Sequence, residues 1–400
     1  MNERKLFQQY LAPTSEEPML LPVVKASGST LFDHTGKEYI DLIGGISVCN
    51  VGHCHPKVVE AIEQQSRQFL HVMVYGEVVQ SPQVRYAQML CRHLPASLDC
   101  VYFTNSGAEA VEGAMKLAKR LSGRAEIIAC HNSYHGSTQG ALSLLGDEYW
   151  RQAYRPLLPG IRHIKHNEFE SLDVITHQTA AVIIEPIQAE AGVRTPSKAW
   201  MQALQKRCNK TGTLLILDEI QTGFGRTGTL WAFEQFDIIP DILLLGKALG
   251  GGMPLGAFIS GKEKMAALAK NPVLGHLTTF GGHPVSCAAG LAAFNVLSDE
   301  KLIDGISAKA QLFLELLVHP SIKAVRHSGF MFAVELDSFE RVQKVIHYCM
   351  TTTECHRVFT DWFLFAPQCI RIVPPLMISE ESVRLACQTL IQGIEYAMKG

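Results

Sequence analysis

The chain has 400 residues, 47% apolar and 18% charged, which is longer than one hydrophobic core ordinarily serves; a large domain with a smaller companion is expected. A formal net charge of −2 gives no basic footprint for nucleic acid and no polybasic face for a membrane surface. No apolar run nears the roughly 18 residues that span a bilayer, and the first residues lack the apolar core of a signal peptide.

The eleven cysteines are an odd number without a CxxC pair. They read as reduced thiols of a cytoplasmic protein, several of them buried as small hydrophobes. In TLFDHTGKEYIDL (30–42), apolar residues flank a Thr35-Gly36 turn and predict a hairpin. GHCHP (52–56) gathers His53, Cys54 and His55. Adjacent side chains seldom converge on one tetrahedral ion and no second ligand pair follows, so no metal is expected. KVVEAIEQQSRQFL (57–70) has helical periodicity, and residues 100–123 predict a strand, a turn and a helix ending at Gly123.

EIIAC (126–130), AAVIIEP (180–186), TLLILDE (213–219) and DILLLGK (241–247) are apolar runs without polar alternation. Strands covered on both faces read this way, so a mostly parallel sheet with flanking helices follows. The last hundred residues mix a helix, SAKAQLFLELL (307–317), with strands FMFAVEL (330–336) and CIRIVPP (369–375), as a smaller α+β unit.

Ligands of open α/β sheets bind beyond the carboxyl ends of the strands. The polar residues that follow the apolar runs are therefore the candidates: Asn105-Ser106-Gly107, His131 to Gly136, Glu185, Asp218-Glu219 and Lys247. In NSGAEA (105–110) a tight turn opens a helix, whose first amides and dipole suit a phosphate. Asp218 ends the most apolar run, where a carboxylate calls for a cation or a protonated heterocycle nitrogen. Lys247 follows DILLL and precedes three glycines, a setting that lowers an amine's pKa and frees it as a nucleophile.

Gly223, Gly225 and Gly228 spell G-x-G-x-x-G, but several residues past the strand and in loop-like sequence, so no dinucleotide site is expected. Ala248 after Lys247 excludes a P-loop. A phosphate cup, the SYHGS turn (133–137), an aspartate and a lysine at successive strand ends are the parts that pyridoxal phosphate needs.

With these parts the chain resembles the class III, fold-type-I aminotransferases, the group of ornithine, acetylornithine and 4-aminobutyrate aminotransferases. The likeness runs through GHCHPKVVEAI (52–62), FTNSGAEAVEGAMKLAK (103–119), YHGST (134–138), IIEPIQAEAGV (183–193), LDEIQTGFGRTG (217–228), LGKALGGGMPLGAF (245–258), TTFGGHPVSCAAGLA (278–292) and IRIVPPL (370–376). It implies an α/β fold with a large seven-stranded-type sheet domain over 53–285, and a small α+β domain from 1–52 and 286–400. It implies Lys247 as the Schiff-base lysine and proton shuttle, and Asp218 on the pyridinium nitrogen. Tyr134 and Ile220 would cover the two ring faces, and Gln221 would approach the ring hydroxyl. Ser106, Gly107 and Ala108 would hold the phosphate, joined by Thr279 from the other subunit of a homodimer. His135 and Glu185 complete the cofactor set.

Arg371 matches the arginine that grips substrate carboxylates, and Glu190 the acid that pairs with it while an ω-amine is bound. The implied reaction moves an amino group from an ω-amine or amino acid to a keto acid by a ping-pong route. The expected acceptor is 2-oxoglutarate, with pyruvate behind it. Two residues depart from the pattern. Ser137 stands where these enzymes commonly carry an arginine for a second carboxylate, and Ile46 where ornithine aminotransferases carry a tyrosine. An amino-acid racemase or epimerase on the same scaffold keeps every cofactor residue and is the alternative. A binding protein that has lost catalysis fits less well, since Lys247 and Asp218 are both present.

Overall fold

A computed structural model describes residues 3–399. Its largest sheet has seven strands: β1 (Cys100–Thr104), β2 (Glu126–Cys130), β3 (Ile161–Ile164), β4 (Thr179–Ile184), β5 (Leu214–Asp218), β6 (Ile242–Leu245) and β7 (Gly256–Ser260). Their order is β1-β7-β6-β5-β4-β2-β3. Neighbours from β6 to β3 pair parallel, while β7 runs antiparallel to both β6 and β1. The four apolar runs of the sequence are the contiguous strands β6, β5, β4 and β2. Every residue of β4, β6 and β7 is buried, which is why these runs carry no polar alternation.

The helix Gly107–Ser122 leaves β1 after a two-residue turn. Ser106 caps it through a hydrogen bond from the Glu109 amide, Lys119 and Arg120 sit in its last turn, and Gly123 ends it in the left-handed conformation at φ 68°. Its inner face is small because the sheet is close: a Cβ on Gly113 would lie 2.4 Å from the Phe258 ring of β7.

The expected hairpin forms between Thr30–Asp33 and Glu38–Asp41, with Gly36 at φ 80° and the Asp33 carboxylate accepting from Thr35 and Lys37. These strands join Val23–Ser27 and, in parallel, Arg357–Phe359, so the two ends of the chain share one four-stranded sheet. A second four-stranded sheet has the order Ala324–Ser328, Met331–Glu335, Ala366–Ile372, Asp361–Phe363. The helix Pro284–Asp299 packs against helices Pro56–Gln68 and Ser81–Arg92 and runs straight through the domain boundary expected at 285/286.

All eleven cysteines are free thiols, and Cys130, Cys208, Cys287, Cys349, Cys369 and Cys387 are buried. His53 is tied to Asp41 at 2.6 Å in a turn that leads, through Cys54 at φ 51°, into helix Pro56–Gln68. Among the described residues no helix is long and apolar enough to cross a membrane.

Candidate active site

Four strand ends of the large sheet and the first turn of helix Gly107–Ser122 surround a cavity of about 260 Å³. Lys247 enters it two residues past β6. Its backbone is left-handed, φ 48°, a conformation that costs a non-glycine residue energy and that clusters at functional positions. Its Nζ donates to Gln221 Oε1 at 2.7 Å. Burial drives the Lys247 ammonium down to about 8, against the pull of Glu190.

Asp218 ends β5 and is buried. Its Oδ1 accepts from the Ile220 amide at 3.0 Å, and its Oδ2 lies 2.7 Å from His135 Nδ1, which must be the donor because a carboxylate only accepts. Burial disfavours the charged imidazole of His135, but the Asp218 hydrogen bond outweighs it and raises its pKa. Glu185, just past β4, accepts from the amides of Tyr134 and Ala189, and burial pushes it up to about 7. Lys247 and Glu185 thus sit in one small volume with protonation poised near neutrality, a pattern typical of catalytic sites.

The glycines are there for space. A Cβ on Gly107 would lie 2.8 Å from Ile220 Cδ1, and one on Gly136 would lie 2.7 Å from Ala108 Cβ. Gly107 and Ala108 line the cavity at the helix N-terminus. Tyr134 lines another wall, its hydroxyl 3.0 Å from Ser137 Oγ.

A second cavity of about 390 Å³ adjoins the first and shares Tyr134, Glu190 and Lys247 with it. Arg371, buried on strand Ala366–Ile372, reaches its wall. Its Nη1 and Nη2 donate to Glu190 Oε1 and Oε2 at 2.7 and 2.9 Å. Burial opposes the charge on Glu190, yet the guanidinium wins and holds its carboxyl below the usual range.

Of the residues expected from sequence, Gly107, Ala108, Tyr134, His135, Ser137, Glu185, Glu190, Asp218, Ile220, Gln221 and Lys247 line the first cavity. Ile46 and Arg371 line the second. Ser106 is exposed at the helix cap beside Gly107, and Thr279 is exposed and lines neither cavity. Glu219 turns the other way, accepting from the Ala232 and Phe233 amides. Sequence reading passed over Asp361, Trp362, Leu364 and Met19 on the second wall. A larger opening of about 820 Å³, at the N-terminal helix Glu3–Tyr10, includes none of the expected site residues.

The aminotransferase class-III family model matches residues 11–394. The chain belongs to the class-III aminotransferases. It is 38% identical over 400 residues to the acetylornithine aminotransferase of Methanopyrus kandleri, covering 98% of this chain and 99% of that protein. It is 37% identical over 399 residues to ornithine aminotransferase 1 of Staphylococcus aureus, covering 96% of this chain and 97% of that one. The solved ornithine aminotransferase of Toxoplasma gondii, which holds pyridoxal phosphate at partial occupancy in its active site, superposes with a TM-score of 0.90 at 30% identity, covering 99% of this aminotransferase and 94% of that chain. These proteins are named aminotransferases, and the racemase alternative finds no support among them.

Proposed function

We propose that this class-III aminotransferase uses pyridoxal phosphate to move an amino group from an ω-amine or amino acid of the ornithine, acetylornithine or 4-aminobutyrate type to a keto acid. The observation that carries this reading is the convergence of Lys247, Asp218 and the Glu190–Arg371 pair on two adjoining cavities. The residues fit the cofactor. Gln221 Nε2 and His135 Nε2 are buried polar atoms without a partner in residues that line the first cavity, and Gly107 keeps the helix N-terminus open to a phosphate.

Bound there, pyridoxal phosphate supplies an electrophilic carbonyl carbon and a ring that withdraws electrons. Asp218, fixed by His135 and the Ile220 amide, would keep a proton on the ring nitrogen. Lys247 Nζ, uncharged in a useful fraction near pH 8, is the nucleophile and then the base that takes a proton from the substrate carbon. Tyr134 and Ile220 would hold the ring, and Gln221 orients Nζ. Arg371 takes the substrate carboxylate when Glu190 turns aside, and Glu190 neutralises Arg371 when the bound group is an amine without one.

Among the described residues lining the two cavities, the fixed cations are Lys247 and Arg371. Ser137 therefore leaves a distal carboxylate without an ionic partner from this chain. 2-Oxoglutarate is the first acceptor to test and pyruvate the second. The protein is assigned to the cytoplasm, in keeping with its free thiols.

The working unit is a homodimer. Leu70, Val72, Met73 and Val79 are exposed on one segment and Val273, Leu274, Leu277 and Phe280 on another. The two segments touch at His71 and Phe280, whose rings lie 4.9 Å apart. An apolar surface of this kind calls for a partner, and Thr279 lies within it, available to a second subunit's phosphate cup.

The test is a half-reaction screen. Holoenzyme is mixed with single amines and amino acids in the absence of keto acid, and the visible band of the lysine-bound cofactor is followed. Loss of the band with release of aldehyde or keto acid supports the reading. Appearance of the mirror-image amino acid with the band intact would show racemisation instead.

A further inference from the structure

Arg371 stands opposite Asp361 in the register between strands Asp361–Phe363 and Ala366–Ile372. Residues facing each other across an antiparallel pair are close neighbours, and here both are charged. Arg371 Nε lies 2.9 Å from Asp361 Oδ1, near enough for an ion pair though not aligned as a hydrogen bond. The guanidinium therefore meets two carboxylates on two edges: Glu190 across Nη1 and Nη2, Asp361 at Nε. Its plane is held further by the Trp362 carbonyl, which accepts from Nη2 at 2.6 Å, and by the Phe363 ring 4.6 Å away.

The two acids are mounted differently. Glu190 sits on the loop after β4, where its Oε2 also accepts from the Leu364 amide at 3.1 Å. Asp361 is built into the strand beside Arg371, and its side chain is one-fifth exposed on the wall of the second cavity. The Asp361 carboxylate hangs on a single methylene from the strand paired with that of Arg371, so its reach away from the guanidinium is short. Moving Glu190 means turning a loop side chain.

We propose that Asp361 is a specificity-determining residue, a second counter-ion that stays on the Nε edge of Arg371 when a substrate carboxylate takes the Nη edge from Glu190. This rests on the reading of the two cavities given above. An incoming carboxylate meets a guanidinium that a fixed acid already half-neutralises, and it meets the negative charge of that acid. The site is biased against carboxylated substrates relative to amines that lack a carboxylate. The bias acts through Arg371, so Asp361 sets affinity rather than taking part in proton transfer.

The test uses holoenzyme and the variant Asp361→Asn, which keeps size and an oxygen acceptor at Nε and removes only the charge. Steady-state constants are measured with 2-oxoglutarate and pyruvate, and with 4-aminobutyrate against butylamine. The expected result is a fall of roughly tenfold in KM for the carboxylated substrates, with smaller changes in kcat and in the butylamine constants. Asp361→Glu, which restores the charge, returns the KM ratio towards wild type. Equal changes for carboxylated and carboxyl-free substrates, or a wild-type ratio in Asp361→Asn, would overturn the proposal while leaving transamination intact. Absence of transamination by the wild-type protein with every substrate would overturn the functional reading itself, and this proposal with it.

Discussion

His135 Nδ1 and Asp218 Oδ2 lie 2.7 Å apart with both side chains buried, one from the turn after β2 and the other from the end of β5. In the proposed reading, the pair fixes the carboxylate that would keep a proton on a heterocycle nitrogen. The charge does the holding, and an amide of the same shape cannot supply it. Asp218→Asn should lower the rate of the amine half-reaction on the order of 10²-fold, the loss of a strong charge-assisted hydrogen bond. His135→Gln, which leaves the charge in place, should cost about tenfold or less. Single-turnover kinetics of the two variants gives the comparison.

The lowered pKa of Lys247 fixes a pH dependence. The nucleophile is the neutral amine, and burial brings the ammonium down to about 8 although Glu190, Asp218 and Glu185 favour the charged form and Arg371 opposes it. Below that pH the amine is mostly protonated and inert; above it the neutral form saturates. The rate at which apoprotein captures pyridoxal phosphate should therefore rise with pH up to about 8 and level off. A rate still climbing at pH 10 would mean an ordinary solvated lysine.

Arg371 is held through geometry as well as charge, since Nη1, Nη2 and Nε all meet oxygens of this chain at 2.6–2.9 Å, and in the proposed reading it would grip a substrate carboxylate with the same fork. Arg371→Lys keeps a cation but loses the planar fork. Its KM for the keto acid should rise roughly 10- to 100-fold, with the butylamine half-reaction much less affected. Parallel loss in both would indicate misfolding of the small sheet rather than loss of a carboxylate grip.

Gly113 tests the packing that places the phosphate cup. A Cβ there would meet Phe258 Cε1 at 2.4 Å inside a fully buried contact. Alanine gains up to about 1 kcal/mol in helix propensity, but overpacking costs about 1–3 kcal/mol. The overpacking wins, because the ring has no open space to turn into. Gly113→Ala should lower the apparent melting temperature by roughly 2–5 °C, read by a thermal scan of the holoenzyme.

The convergence of the first cavity's lining was legible because its residues lie close after apolar runs, and a parallel sheet delivers all such ends to one edge. Lys247, Asp218, Glu185 and the 105–107 turn were found in this way, and the resemblance supplied Ala108, Glu190 and Arg371. Strand β7 was not legible as a strand: GAFIS follows a glycine-rich turn and shows neither alternation nor length. Asp361 was missed for a different reason. Its importance comes from the register of a short strand pair, and nothing in FTDWFLF states which residue lies across from it. Arg226 was hidden inside the glycine-rich stretch 223–228, which reads as an extended loop. It is fully buried, donating to Asn50 Oδ1, Phe330 O and Pro374 O, and burial brings it down to about 9. Those bonds tie the stretch next to Gln221 to the segment that follows Arg371.

The central claim is that Lys247 Nζ is the atom that holds the cofactor. Borohydride reduction of the holoenzyme locks the lysine–cofactor bond, and peptide mass mapping then locates it. The account predicts the reduced cofactor's mass on the peptide carrying Lys247, with none in Lys247→Ala. Modification at another lysine, or holoenzyme that turns over fully with Lys247 replaced, would contradict it.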